Sequence, residues 1–257
     1  MNTDIFAPVP SLLDGLHSST DNLIRWLKQQ TSGAIESSAG DRQMQSASLL
    51  PTWSRAHVLT HLARNADGIT RTLDSALQNK QLARYPDGPA GREADIQAGA
   101  RRPSADLIAD ITASAVALDL VIAELTTANG WDLPTEDGRP AWWWLYARRR
   151  EIEIHRIDLD WGYQPSSWPA SFIETLLPEI ASAGGLGNPP RTPLKITVAE
   201  GGSVTKELAG KTWTVIPAGA SGDPVEVTGP DWALVCLIIG RTQHARTGIP
   251  RLPAFSS

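Results

Sequence analysis

The chain has 257 residues, 41% hydrophobic and 20% charged, enough to bury a core as one large domain or two modest ones. A formal net charge of -5 and a pI of about 5.5 exclude nucleic acid as the main partner, because phosphate neutralisation needs a basic surface. They leave room for a small anionic ligand held by a few local arginines. The single cysteine, Cys236, excludes a disulfide framework and fits a cytoplasmic setting. The opening residues show no basic segment followed by an apolar run, so no signal peptide is expected. No apolar stretch is long enough to predict a membrane-spanning helix. A monomer without membrane or nucleic-acid partners is the expectation.

Four helices are predicted before residue 165. Leu12, Leu13, Leu16, Leu23, Ile24 and Leu27 set the first, over Ser11 to Gln30, and Gly33 to Gly40 reads as a loop. The second begins at the N-cap residue Ser54 and runs to about Gln81, before the breakers Pro86, Gly88, Pro89 and Gly91. The third covers Ser104 to Thr127, with Leu107, Ile111, Val116, Leu120 and Ile122 on its apolar side. The fourth follows Pro140 and runs to about Trp161, with Gly162 as its C-cap residue. After Pro165 the pattern changes. A helix over Ala170 to Ala183 is followed by β-rich runs at Leu194 to Ala199, Thr212 to Ile216 and Val225 to Thr228. A last helix runs from Trp232 to about Arg241. The expected fold class is α+β: a four-helix bundle over 1–165, then a small α/β domain over 166–257.

The fourth helix carries the clearest chemical pattern. At 100° per residue, Arg149, Glu153, Arg156 and Asp160 share one side and predict a solvated charged face. Glu151, His155 and Asp158 share the opposite side. Leu145, Ile152 and Leu159 flank that second stripe on one edge, Ile154, Ile157 and Trp161 on the other. A polar stripe between apolar ones points into the bundle, where its charges need partners. Glu151 and His155, four apart, can reach one ion. The same spacing serves equally for a Glu–His–Asp hydrogen-bond cluster that joins helices.

The second helix offers a further ligand. His57 and His61 are four apart, and the apolar face is set by Val58, Leu62, Ile69 and Leu73. His61 and Asn65 border that face, while His57 lies further round, at the surface or supporting the site from behind. Two histidines and one glutamate with an open fourth position are the pattern of a catalytic zinc site. Asp158 is one turn from His155 and suits the role of accepting an imidazole N–H.

Trp53, His57, His61 and Asn65, with the later Arg150, Glu151, His155, Asp158 and Leu159, resemble the metal-binding helices of the mycothiol-dependent maleylpyruvate isomerases, within the DinB-like superfamily. Arg92-Glu93 in an R-x-x-x-I setting and Ile239-Gly240-Arg241 resemble further family features. The resemblance implies a DinB-like bundle with zinc or another divalent metal on His61, Glu151 and His155, and mycothiol as the thiol cofactor. It also implies a cytoplasmic isomerase of the gentisate pathway of aromatic compound degradation. Thiolate adds to the cis double bond of maleylpyruvate, the new single bond rotates, and loss of thiol gives fumarylpyruvate. Cys236, inside the apolar run Ala233 to Ile239, reads as a core residue, so the nucleophile is external.

A dianionic substrate needs cations. Arg92 and Arg241 are the candidates for the catalytic role, and Asn65, Arg148 and Arg150 for substrate binding. Arg241, in the second domain, would place the site in a cleft between domains. Two other functions fit the same residues: a mycothiol S-transferase that conjugates another electrophile, and a non-catalytic binding or regulatory bundle. An intact three-ligand set argues against the last.

Overall fold

The computed structural model describes residues 6–31 and 38–252. The chain separates into two compact units, Pro8–Gly162 and the part from Tyr163 onward. The first unit is helical: α1 (Val9–Thr31), α2 (Ser38–Gln45), α3 (Arg55–Leu77), α4 (Gly88–Gly99), α5 (Ser104–Thr127) and α6 (Trp143–Asp158). The four long helices close a ring, α1 on α6, α6 on α3, α3 on α5, and α5 on α1. This is the expected bundle, and α2 and α4 are additions packed on α3.

The additions correct two expectations. Residues 38–40, where the sequence predicts loop, open α2, while residues 32–37 lie outside the described residues. The segment read as a helix break contains α4, which starts at Gly88 with proline in its first turn. Proline is tolerated there because the first amides of a helix have no intrahelical partner. Only Ile96 of α4 is buried, so the helix has little apolar periodicity to detect. On α5, Leu107, Ile111, Leu118, Ile122 and Leu125 are buried, whereas Val116 and Leu120 are exposed. They lie off the stripe that meets the neighbouring helices. The end of α6 is also earlier than expected. Asp160 turns the chain with φ 49°, and Arg55 donates to the carbonyls of Leu159 (2.8 Å) and Asp160 (2.7 Å). One guanidinium thus satisfies carbonyls that a helix C-terminus leaves without partners.

The charged side of α6 is the largest correction. Arg149, Glu153 and Arg156 are buried, and only Asp160 is exposed. Helix α1 covers this side: Ser19 donates to Glu153 Oε1 at 2.5 Å and receives Arg149 Nε at 3.3 Å. Gly15 makes room, since a Cβ there would stand 2.6 Å from Arg149 Nη1. Arg156 lies over the Trp26 ring at 5.3 Å. The helix is therefore buried nearly all round, and its least covered residues, Arg150, Glu151 and His155, include two on the stripe read as interior.

The second unit contains α7 (Ala170–Ser182), β1 (Leu194–Val198), β2 (Thr212–Val215), β3 (Val225–Gly229), α8 (Asp231–Ile238) and α9 (Thr242–Gly248). Its sheet has the order β2-β1-β3, with β1 antiparallel to β2 and parallel to β3. Leu194, Ile196 and Val198 alternate into the core. The last predicted helix is α8, which ends at Ile238, and a short further helix that was not expected, α9, follows Gly240 (φ 77°) and Arg241. Cys236 is fully buried in α8. No helix among the described residues is long and apolar enough to cross a membrane.

Candidate metal centre and its pocket

The site is built where α3 faces α6. Helix α3 starts at Ser54, and His57 closes its first turn: Nδ1 accepts the Ser54 amide at 3.2 Å and lies 2.8 Å from Ser54 Oγ. His57 Nε2 is 3.1 Å from Gln97 Oε1, which ties α3 to α4. One turn on, His61 is buried and faces α6. Its Nε2 is 2.9 Å from Glu151 Oε2, and His155 Nε2 is 3.5 Å from the same oxygen. The two imidazoles meet edge to face, with centroids 4.5 Å apart. One ligand atom each from His61, Glu151 and His155 lies within 4.8 Å of the others, the one such group of three among the described residues.

Behind this triad, Asp158 is fully buried and its Oδ2 is 2.9 Å from His155 Nδ1. It holds that ring so that Nε2 faces the centre. Arg92 Nη2 approaches His61 Nδ1 at 2.5 Å. An acceptor at Nδ1 puts the proton of a neutral His61 on Nε2, which then donates to Glu151.

Burial pushes His61 down to about 4, with the His155 and Arg92 charges adding and the Glu151 hydrogen bond opposing. Burial works against His155 as well, but hydrogen bonds to Asp158 and Glu151 raise it to about 9. Burial would lift Glu151, yet the two imidazoles hold it well below its ordinary range. At neutral pH the protein alone thus holds a neutral His61, a cationic His155 and a Glu151 carboxylate.

A pocket of about 410 Å³ opens onto the triad, walled by Leu50, Trp53, Asn65, Arg84, Tyr85 and Arg92. Of the residues singled out from sequence, it brings together His61, Glu151, His155, Asn65 and Arg92, with Asp158 directly behind. Arg148 stands one layer back: it is buried, and its Nη1 donates to Leu62 O (2.7 Å) and Asn65 Oδ1 (2.9 Å). It thereby orients Asn65, leaving the amide nitrogen as that residue's donor to the pocket. Burial lowers Arg148 to about 10, opposed by Glu151 and Asp67. Arg150 lies over the rings of Trp143 (5.7 Å) and Tyr146 (5.6 Å) and is not part of the pocket wall. His57 serves the start of α3. Arg241 belongs to the second unit, where it precedes α9 and Nη1 donates to Ile239 O at 3.0 Å.

Leu50, Arg84 and Tyr85 were not anticipated, since they sit in irregular segments without periodicity. One signal was available: Gly68 in the middle of α3, where a glycine is costly. A Cβ there would be 2.9 Å from Tyr85 Cε1 and 3.1 Å from Arg84 Cγ.

The donor set suits a divalent ion. Two imidazoles and one carboxylate converge, one imidazole is fixed from behind, and the fourth direction opens to a pocket.

Comparison with known proteins adds the relationship. The model of the mycothiol maleylpyruvate isomerase N-terminal domain matches residues 28–160, just over half of the chain. Two similar solved structures are the mycothiol-dependent maleylpyruvate isomerase and a histidine-to-alanine mutant of it. Each is 24% identical to this chain, covers 97% of both chains, and has a TM-score of 0.74, a likeness of fold. No curated protein matches.

Proposed function

Because the chain belongs to the mycothiol maleylpyruvate isomerase N-terminal domain family, we propose that it is a metal- and mycothiol-dependent isomerase that converts maleylpyruvate to fumarylpyruvate. The observation that carries this reading is the convergence of His61, Glu151 and His155 at the floor of an open pocket. These residues would hold a divalent ion, zinc by ligand type. Such an ion lowers the pKa of a bound thiol, so that thiolate is available near neutral pH. The protein's one thiol, Cys236, is sealed in α8, which fits an external nucleophile.

The sulfur of the thiolate forms a C–S bond to one carbon of the cis double bond. The displaced electron pair is held as an enolate on the adjacent carbonyl. The former double bond turns, the pair returns, and the C–S bond breaks to give the trans product and the original thiolate, with no net oxidation. Arg92 and the Asn65 amide would hold the anionic substrate during rotation, and Asp158 keeps His155 facing the ligands.

The test is the ion content of the purified protein together with turnover of maleylpyruvate with and without mycothiol. Turnover that needs both ion and thiol is expected. Full activity without a thiol sinks the mechanism. A stable thiol–substrate adduct as end product identifies an S-transferase.

A further inference from the structure

Three guanidiniums gather on the pocket side of the helical unit, and they are not equivalent. Arg92 donates to His61, and Arg148 donates to Leu62 O and Asn65 Oδ1. Arg84 has ring faces in place of acceptors: its guanidinium lies 4.6 Å from the Trp144 ring centroid and 5.2 Å from that of Tyr85. Its Nε is buried without a hydrogen-bond partner, and among the described residues no oxygen accepts from its guanidinium. Rings hold a cation in place without using its in-plane donors.

Arg84 also occupies a shared wall. Together with Tyr85 and Arg92 it lines both the metal pocket and a neighbouring pocket of about 300 Å³. Both guanidiniums stand within 5.6 Å of the Tyr85 ring centroid. The α3 backbone at Gly68 lets Arg84 and Tyr85 seat close against the helix. The neighbouring acidic residue Asp67 is engaged by Arg64 at 2.9 Å.

We infer that Arg84 is a carboxylate-binding residue of the metal pocket, acting beside Arg92, and that the ligand it takes is a dicarboxylate. The ring contacts fix the guanidinium before ligand arrives, and its free in-plane donors match the two oxygens of a carboxylate. This rests on the isomerase reading for the identity of the dicarboxylate, though not for the presence of an anion site.

Calorimetric titration of maleate into the ion-loaded protein, without thiol, tests it, with neutral maleamide as the control. R84M should weaken maleate binding by about ten- to a hundredfold, the effect of losing a charged hydrogen-bond partner, and leave maleamide unchanged. R84K should fall in between, because it keeps the charge and loses the fork. If R84M does not fold, R84K decides: weakened maleate binding supports Arg84, and wild-type affinity overturns it. Unchanged maleate affinity in a folded R84M, an equal loss for maleamide, or no maleate binding by the wild type also overturns it. Turnover is a separate readout. A wild type inactive on maleylpyruvate whose maleate site fails in R84M removes the isomerase reading and keeps the anion site. An active wild type with a maleate-indifferent R84M does the reverse.

Discussion

At the level of single residues, His57 and His61 show how four positions on one helix separate two roles. His57 completes a cap at the start of α3, and His61 reaches the triad. His57→Ala should therefore lower stability by about 0.5–2 kcal/mol, the usual size of a lost helix cap, and leave ion content near one per chain. His61→Ala should abolish ion binding. Thermal unfolding and elemental analysis of the two variants check this pair, and ion loss in the His57 variant would contradict it. Asp158→Asn should weaken ion binding about 10- to 100-fold through loss of the carboxylate behind His155, measurable by competition with a chelator. The triad was legible in the sequence because ligand type and helical period are local properties. Arg84 and Tyr85 were not, because their place depends on how an irregular segment folds over Gly68.

Among the elements, α6 was half legible. Its period put Glu151, His155 and Asp158 on one stripe, as found, but the opposite stripe proved to be covered by α1. Periodicity tells which residues share a side and not how many neighbours a helix has. A helix enclosed by others can bury charges if they are paired. Arg149, Ser19 and Glu153 form such a link between α6 and α1. Ser19→Ala removes the hydroxyl between two buried charged groups and should cost about 1–3 kcal/mol, read as a lower midpoint in urea with ion content unchanged. An unchanged midpoint would show that the link contributes nothing. The high tryptophan count also finds a structural use in this unit: Arg55, Arg84, Arg139 and Arg156 lie over Trp161, Trp144, Trp143 and Trp26, at 4.8, 4.6, 4.3 and 5.3 Å. Helix α4 escaped detection because proline and glycine mark a break or a beginning equally well.

For the molecule as a whole, the helical unit runs to Gly162 and the unit from Tyr163 onward contains the sheet. Strand alternation at Leu194, Ile196 and Val198 was plain, whereas the short α9 has little periodicity to read. Gly68 shows what the pocket demands of the molecule that carries it. Alanine in the middle of a helix is favoured over glycine by roughly 0.5–1 kcal/mol, so helix propensity alone would place alanine here. Here the methyl would displace the ring and stem on which the pocket wall rests. Gly68→Ala should therefore bring little or no rise in melting temperature, since the propensity gained is spent on moving Tyr85, while maleylpyruvate is used with a higher KM. A clear rise in melting temperature with unchanged KM would show that the wall yields without consequence. The expected result makes this one missing methyl a condition set by the pocket wall: the helix gains no durability from alanine here, and Tyr85 and Arg84 lose their seat.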